Sequence, residues 1–287
     1  MSQATIGVIG GSGLYAMEGL EDIAEVRLET PYGAPSDAYV LGTLAGRRVA
    51  FLPRHGRGHR LTPSEVPSRA NIHAFKQLGV NYLISISAVG SLRQEYAPGH
   101  VVIPDQLFDR TKGIRPFTFF EQGIVVHIGF DRPFCNELSD RLLVAAQAAG
   151  ATVHRGGTLV VMEGPQFSTR AESEENRRRS HDLIGMTALP EAKLAREAEI
   201  AYACLAMVTD YDVWHPDHDA VTVDAVVAVL QANAALSQQI VREAVNLIGD
   251  GFVSAAHSAL ANAIITDRSV IPAEVKHRLD LIAGKYF

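Results

Sequence analysis

The chain has 287 residues, 47% of them hydrophobic, and a formal net charge of -6. That is the composition of a folded globular protein, and the acidic balance without a long basic run excludes the electrostatic footprint of a nucleic-acid binder. Two distant cysteines, Cys135 and Cys204, no cleavable leader at the N-terminus and no apolar run of ~18 residues predict buried thiols, no disulfide framework, no membrane span and a soluble cytoplasmic protein.

In chain order, Thr5 to Ile9 is a β-branched run closed by glycines and reads as a buried strand. Residues 22–53 hold few helix signals. Within them the apolar runs 38–42 and 48–52 flank Ala45-Gly46-Arg47, which predicts a hairpin. Ser68 to Leu78 reads as a helix stopped by Gly79; Tyr82 to Ile86 and Val101 to Ile103 read as strands. Cys135 to Ala149 is an amphipathic helix closed by Gly150, and Thr152 to Val161 reads as one strand with a bulge at Gly156-Gly157. Ala188 to Ala198 is a helix and Ala201 to Val208 a buried strand. Thr222 caps a long helix running to about Ile248, closed by Gly249, and a helical tail occupies 251–287. Strands alternating with helices, with no linker or repeat, predict one α/β domain over 1–287, its core at about 4–248, with a central sheet covered on both faces.

Three runs carry chemistry. Gly10-Gly11-Ser12-Gly13 follows a strand, where glycines admit an anion close to backbone amides and the Ser12 hydroxyl; an ordinary tight turn would look the same. The run also fits Gly11-x-Gly13-x-x-Ala16 of a dinucleotide fingerprint, with Glu29 near the acid position. Gly19 and the acids Glu18, Glu21 and Asp22 leave little room for the helix which that fold needs. Arg54-His55-Gly56-Arg57-Gly58-His59 also follows a strand. Arg54 offers a planar fork for phosphate oxygens and His55 a donor that charges near neutral pH; the alternative is a solvated basic loop. His55 and His59 have metal-ligand spacing only on a helix, which Gly56 and Gly58 disfavour. Thr209-Asp210-Tyr211-Asp212 places two carboxylates beyond a strand end, where both can reach one ligand edge or simply cap a turn. Ser85 to Ser91 reads as a strand end followed by a hydroxyl-bearing turn. It lacks the Gly-x-Ser-x-Gly elbow of a serine hydrolase. Val223, Val226, Val227 and Leu230 recur at helical spacing and read as a core face that can also wall an apolar pocket.

These runs belong to an ordered set. It comprises Gly-Gly-Ser-Gly-Leu (10–14), Thr-Pro-Tyr-Gly-x-Pro-Ser-Asp (30–37), Arg-His-Gly-Arg-x-His (54–59), Ala-x-Gly-Ser-Leu-Arg (88–93), Asp-Gln-x-x-Asp-Arg-Thr (105–111), Glu-Gly-Pro-x-Phe-Ser-x-Arg-Ala-Glu (163–172), Gly-Met-Thr (185–187) and Thr-Asp-Tyr-Asp-x-Trp (209–214). In this order it resembles the nucleoside phosphorylases of the methylthioadenosine phosphorylase group. The resemblance implies the single-domain nucleoside phosphorylase fold, a central mixed β-sheet flanked by helices, assembled as a homotrimer that can pair into a hexamer. It implies phosphate held by Ser12, Arg54, His55, Ser87, Ala88 and Thr187, with Ser at 12 and 87 where the group usually carries Thr. It further implies a nucleoside held by Met186 on the ribose, Phe167 on the base, Asp210 at N7 and Asp212 at the 6-amino group. His127 would reach a neighbouring subunit's 5′ pocket, which Val223, Val226 and Val227 suit for a methylthio group.

The expected activity is phosphorolysis of 5′-methylthioadenosine to adenine and 5-methylthioribose 1-phosphate, with Asp210 and Asp212 as the catalytic acids. Phosphate is a co-substrate, and neither a metal nor an organic cofactor is expected. The alternatives are a broader purine nucleoside phosphorylase acting on adenosine, inosine or methylthioinosine, a nucleoside hydrolase using water, and a non-catalytic nucleoside or dinucleotide binder.

Overall fold

The computed structural model describes residues 3–11, 19–216, 229 and 234–287. Ser12, the Thr222 cap, Val223, Val226, Val227 and Leu230 lie outside the described residues.

The strands are β1 (Ile6–Gly10), β2 (Glu21–Val26), β3 (Tyr39–Leu44), β4 (Arg47–Pro53), β5 (Tyr82–Ser91), β6 (Val101–Ile103), β7 (Gln106–Arg110), β8 (Val153–Arg155), β9 (Thr158–Met162), β10 (Leu183–Gly185) and β11 (Ala201–Asp210). The helices are α1 (Ser68–Leu78), α2 (Asn136–Ala148), α3 (Arg170–Arg178), α4 (Ala188–Glu197), α5 (Ala234–Ile248) and α6 (Ala273–Ala283). All eleven strands share one sheet, with the path β2-β3-β4-β1-β5-β10-β9-β7 and a branch in which β11 pairs β5 and β6 while β6 pairs β8. Strand β1 runs parallel to β4 and β5, and β5 runs parallel to β11, whereas β10 is antiparallel to β5.

The period of two along the central strands sorts side chains between two cores. Tyr202, Cys204, Ala206 and Val208 of β11 join Ile72, Phe75, Leu194 and Leu279 on the face of α1, α4 and α6. Ala201, Ala203, Leu205 and Met207 join Leu138, Leu142, Ile240 and Val241 on the face of α2 and α5. Strands apolar on both sides give the near-continuous hydrophobic runs seen in the sequence. Ser85 and Ser87 of β5 have the parity of Leu83 and Val89, which pack on the α1/α4 face, so both hydroxyls point to that side.

The predicted hairpin is β3–β4, paired antiparallel, and α1 stops at Gly79 in the left-handed region. Three expectations are corrected. Thr152–Val161 is two strands, because Gly156 and Gly157 both take positive φ (96° and 104°) and turn the chain; β8 then pairs β6 while β9 pairs β10 and β7. Ser85–Ser91 is not a turn after a strand but the second half of β5. Strand β11 continues through Thr209 and Asp210. The tail is helical in segments, as 3-10 turns at Ala255–Ser258, Arg268–Val270 and Gly284–Tyr286 around α6.

Candidate functional site

The sheet leaves a gap where the candidate anion residues meet. Strand β1 covers one edge of β5 only as far as Ser85, and β10 takes that edge only from Gly90. Residues 86–89 therefore keep an open hydrogen-bonding edge at the carboxyl end of β1, the position where open α/β sheets take ligands. Thr187, at the start of α4, faces this gap, its hydroxyl 3.2 Å from Ser87 Oγ. Ala88 is half-buried beside them.

Arg54 follows β4 and points into the α4 face, 2% exposed. Its Nε–H donates to Glu191 Oε2 (2.9 Å) and its Nη2 group to Ser85 Oγ (2.7 Å), Glu191 Oε1 (3.1 Å) and Ile9 O (3.3 Å). Nη1 donates to Ile86 O at 2.9 Å, the carbonyl at the lip of the gap. The guanidinium is thus no open fork: its wide edge is taken by a buried carboxylate, itself anchored by Tyr202 OH at 2.8 Å. Burial opposes the Arg54 charge, but Glu191 more than offsets it and holds its pKa above the ordinary value.

His55 is half-buried, with Nδ1 2.9 Å from Leu61 O and its ring stacked on His59 at 4.2 Å. A carbonyl only accepts, so Nδ1 carries the proton and Nε2 presents a lone pair. Burial first, then the Arg54 charge, push the pKa of His55 down to about 4. The ring is neutral at pH 7, which corrects the expectation that it charges near neutrality.

The acidic pair sits further along the same strands. The register of β11 on β5 shifts between Val208 and Asp210, setting Asp210 opposite Gly90. Such a bulge re-aims the residue beyond it. Asp210 Oδ2 accepts from Thr209 Oγ1 (2.7 Å) and Oδ1 from the Asp212 N–H (2.7 Å), with Asp212 itself at φ +50°. A Cβ on Gly90 would stand 2.9 Å from Asp210 Oδ1 and 3.1 Å from Ile184 Cγ2, so a side chain here would displace the carboxylate. Burial raises the carboxyl pKa of both acids, against hydrogen bonds from Thr209 and the Asp212 amide on Asp210 and from Ser173 and Ser168 on Asp212. Asp212 Oδ2 is buried without a hydrogen bond of normal geometry among the described residues. The loop beyond is pinned by Trp214, whose Nε1 donates to Ser91 O (2.7 Å) and whose ring lies under Arg177 at 3.6 Å.

Met186 lies between the two clusters, after β10. A Cβ on Gly164 would meet its Sδ at 2.5 Å, and Gly164 has φ +67°, so the Glu163–Phe167 turn closes on Met186 only with glycine there. Buried Arg115 ties this region together, donating to Glu163 Oε1 (2.6 Å), Glu163 O (2.6 Å), Met186 O (2.6 Å) and Leu189 O (2.7 Å). Phe167 is 41% exposed on the same turn. His127 is exposed on a segment that pairs with the tail: Val126 bridges Ile264, and the His127 N–H donates to Ala263 O at 2.9 Å.

The structure therefore brings Arg54, His55, Ser87, Ala88, Thr187, Met186, Asp210 and Asp212 to one end of β5 and leaves His127 to the tail. Sequence reasoning missed Glu191, Ser85, Tyr202, Gly90 and the Glu163–Arg115 clamp. Glu191 had one signal, an acid inside the apolar run Ala188-Leu189-Pro190 to Leu194, although no spacing rule ties it to Arg54.

The chain is similar to known proteins over most or all of its length. The family model of the phosphorylase superfamily matches residues 5–246. An S-methyl-5′-thioadenosine phosphorylase of Chloroflexus aurantiacus is 74% identical over 287 residues, all of both chains. A crystal structure of methylthioadenosine phosphorylase from an Antarctic soil metagenomic library superposes with a TM-score of 0.94 at 52% identity, covering 98% of this chain and 99% of that one. The methylthioadenosine phosphorylase of Schistosoma mansoni in complex with adenine gives 0.82 at 32% identity, covering 98% of each chain.

Proposed function

Because the chain belongs to the phosphorylase superfamily, in its methylthioadenosine phosphorylase family, we propose that the site at the end of β5 carries out phosphorolysis of 5′-methylthioadenosine. The carrying observation is the open edge of β5, with an anion-suited cluster at residues 86–88 and a buried acidic pair two residues further on. A strand rises about 3.3 Å per residue, so the residues 86–88 stand about 7–13 Å from Gly90, a span that takes a phosphate, a ribose and a purine in sequence.

In this reading phosphate is held by Ser12, Arg54, His55, Ser87, Ala88 and Thr187. Met186 contacts the ribose, and Phe167 packs on the base. The C1′–N9 bond breaks as a phosphate oxygen bonds to C1′, and the sugar passes through a cationic state that the phosphate charge stabilises. Monohydrogen phosphate loses its proton and adenine gains one. Asp210 delivers it at N7, a role that burial favours by keeping its carboxyl protonated to higher pH than an exposed Asp. Asp212 accepts from the 6-amino group and repels a 6-oxo oxygen. The 5′ side is completed by Val223, Val226 and Val227 and by His127 of an adjacent copy.

Phosphate is a co-substrate, and no metal or organic cofactor takes part. The whole chain acts as one domain, works in the cytoplasm and assembles as a homotrimer. Exposed Ile114 (68%), Phe117 (53%) and Val125 (50%) suit a subunit contact. Among the described residues no helix is long and apolar enough to cross a membrane. Initial rates on methylthioadenosine, adenosine, inosine and methylthioinosine at fixed phosphate test the substrate reading. Methylthioadenosine should have the highest kcat/KM, and faster turnover of inosine would contradict the roles given to Asp210 and Asp212.

A further inference from the structure

The pairing of Arg54 with Glu191 has a consequence for the anion. Both side chains are 2% exposed and meet bidentately, so together they bring no net charge to the gap. Of the five guanidinium N–H groups, Nε and both of Nη2 have protein acceptors, and Nη1 already donates once to Ile86 O. Among the described residues one Nη1 N–H is left. Of the other arginines here, Arg57 points its guanidinium at Glu25 (2.7 and 3.2 Å) and Arg60 donates to Ser36 O (2.6 Å), while His55 offers a lone pair at Nε2. A dianion in this gap meets mostly neutral donors: the hydroxyls of Ser87 and Thr187, the open edge of β5 and a single Arg54 N–H.

We propose that Glu191 sets the charge of the anion site, holding Arg54 as a neutral buried pair so that phosphate is bound weakly but keeps the negative charge with which it attacks C1′. An unpaired guanidinium would grip a dianion harder, yet it would draw charge from the attacking oxygen and from the group that stabilises the cationic sugar. Glu191 acts through Arg54 and is a positioning residue. The proposal rests on reading this gap as the phosphate site.

The test is steady-state kinetics of E191Q against the unaltered enzyme, with phosphate as substrate and sulfate as an unreactive competitor. Gln keeps the shape and one acceptor while adding a unit of positive charge. At a few ångströms and protein-like screening that charge is worth roughly tenfold in dianion binding. The KM for phosphate and the Ki for sulfate should both fall about tenfold while kcat falls by a similar factor. A merely structural defect raises KM as it lowers kcat, so KM unchanged or raised overturns the proposal. Sulfate failing to compete in the unaltered enzyme would instead overturn the phosphate reading, and the proposal with it. If E191Q does not fold, R54Q and R54Q/E191Q decide the matter. R54Q alone leaves an uncompensated carboxylate facing the anion, so the double variant should bind phosphate better than R54Q, and equal or weaker binding contradicts the charge role.

Discussion

Asp210 has each oxygen engaged in the free chain, one by its neighbour's hydroxyl and one by the Asp212 amide. That fixes the carboxyl plane before substrate arrives, as a proton donor requires. Exchanging it for Asn keeps the shape and removes the acid. In D210N, kcat/KM for methylthioadenosine should fall by about 10²–10³, while in D212N the ratio of inosine to adenosine turnover should rise at least about tenfold. Unchanged ratios would dissociate Asp212 from base choice. The pH profile supplies a second check. Burial holds the Asp210 carboxyl above its ordinary range, so activity should decline on the alkaline side as the proton is lost, and that limb should vanish in D210N.

At the scale of elements, the β11 bulge and Gly90 form one device, because the bulge brings Asp210 to a strand position where a side chain would collide with it. Gly90→Ala should lower kcat by at least about tenfold with little change in phosphate KM, since the collision spares the Ser87 end of the strand. Equal damage to both would show that β5 shifts as a whole. The Arg115 clamp joins the segments that follow the neighbouring strands β7, β9 and β10. Arg115→Met leaves buried Glu163 without its counter-ion, with the Ser64 hydroxyl and the Lys112 amide as its remaining donors, and denaturant unfolding should report a loss of about 3–5 kcal/mol. Most of this architecture was legible in the chain. Strands β1 and β6, helices α1 and α2 and the hairpin follow from periodicity and terminal glycines, and most of the positions gathered at the end of β5 lie in the ordered motifs. Other elements were not. Strand β2 is a polar edge strand and β10 has only three residues, so neither shows an apolar period. Helix α3 is polar, and its one signal was the Thr169–Glu172 capping box. The Arg54–Glu191 pair joins residues 137 apart in sequence, and only the fold decides which acid a buried arginine finds.

Across the whole molecule, several buried titratable groups pull stability in opposite directions with pH. Burial pushes Glu197 up to about 7, against hydrogen bonds from the Phe119 amide and the Thr118 hydroxyl. A folded-state pKa above the unfolded value gives stability that is present below about 4.5 and lost as pH rises toward about 7. His73, pushed down to about 4 by burial, acts the other way: its contribution is present above about 6.5 and lost as pH falls toward about 4. In Glu197→Gln the stability should therefore rise more steeply between pH 4.5 and 7 than in the unaltered protein. Denaturant midpoints across that range would show it, and parallel curves would contradict it. The quaternary proposal is checked by sedimentation velocity, which should give a species three times the 31.0 kDa chain mass. The central claim is that phosphate, not water, takes the ribosyl group. It is met most directly by incubating the protein with methylthioadenosine in phosphate-free buffer, then adding phosphate, while following adenine release and phosphate consumption together. The account predicts negligible release before addition and one phosphate consumed per adenine afterwards. Adenine released at the same rate without phosphate would contradict it and make the enzyme a hydrolase.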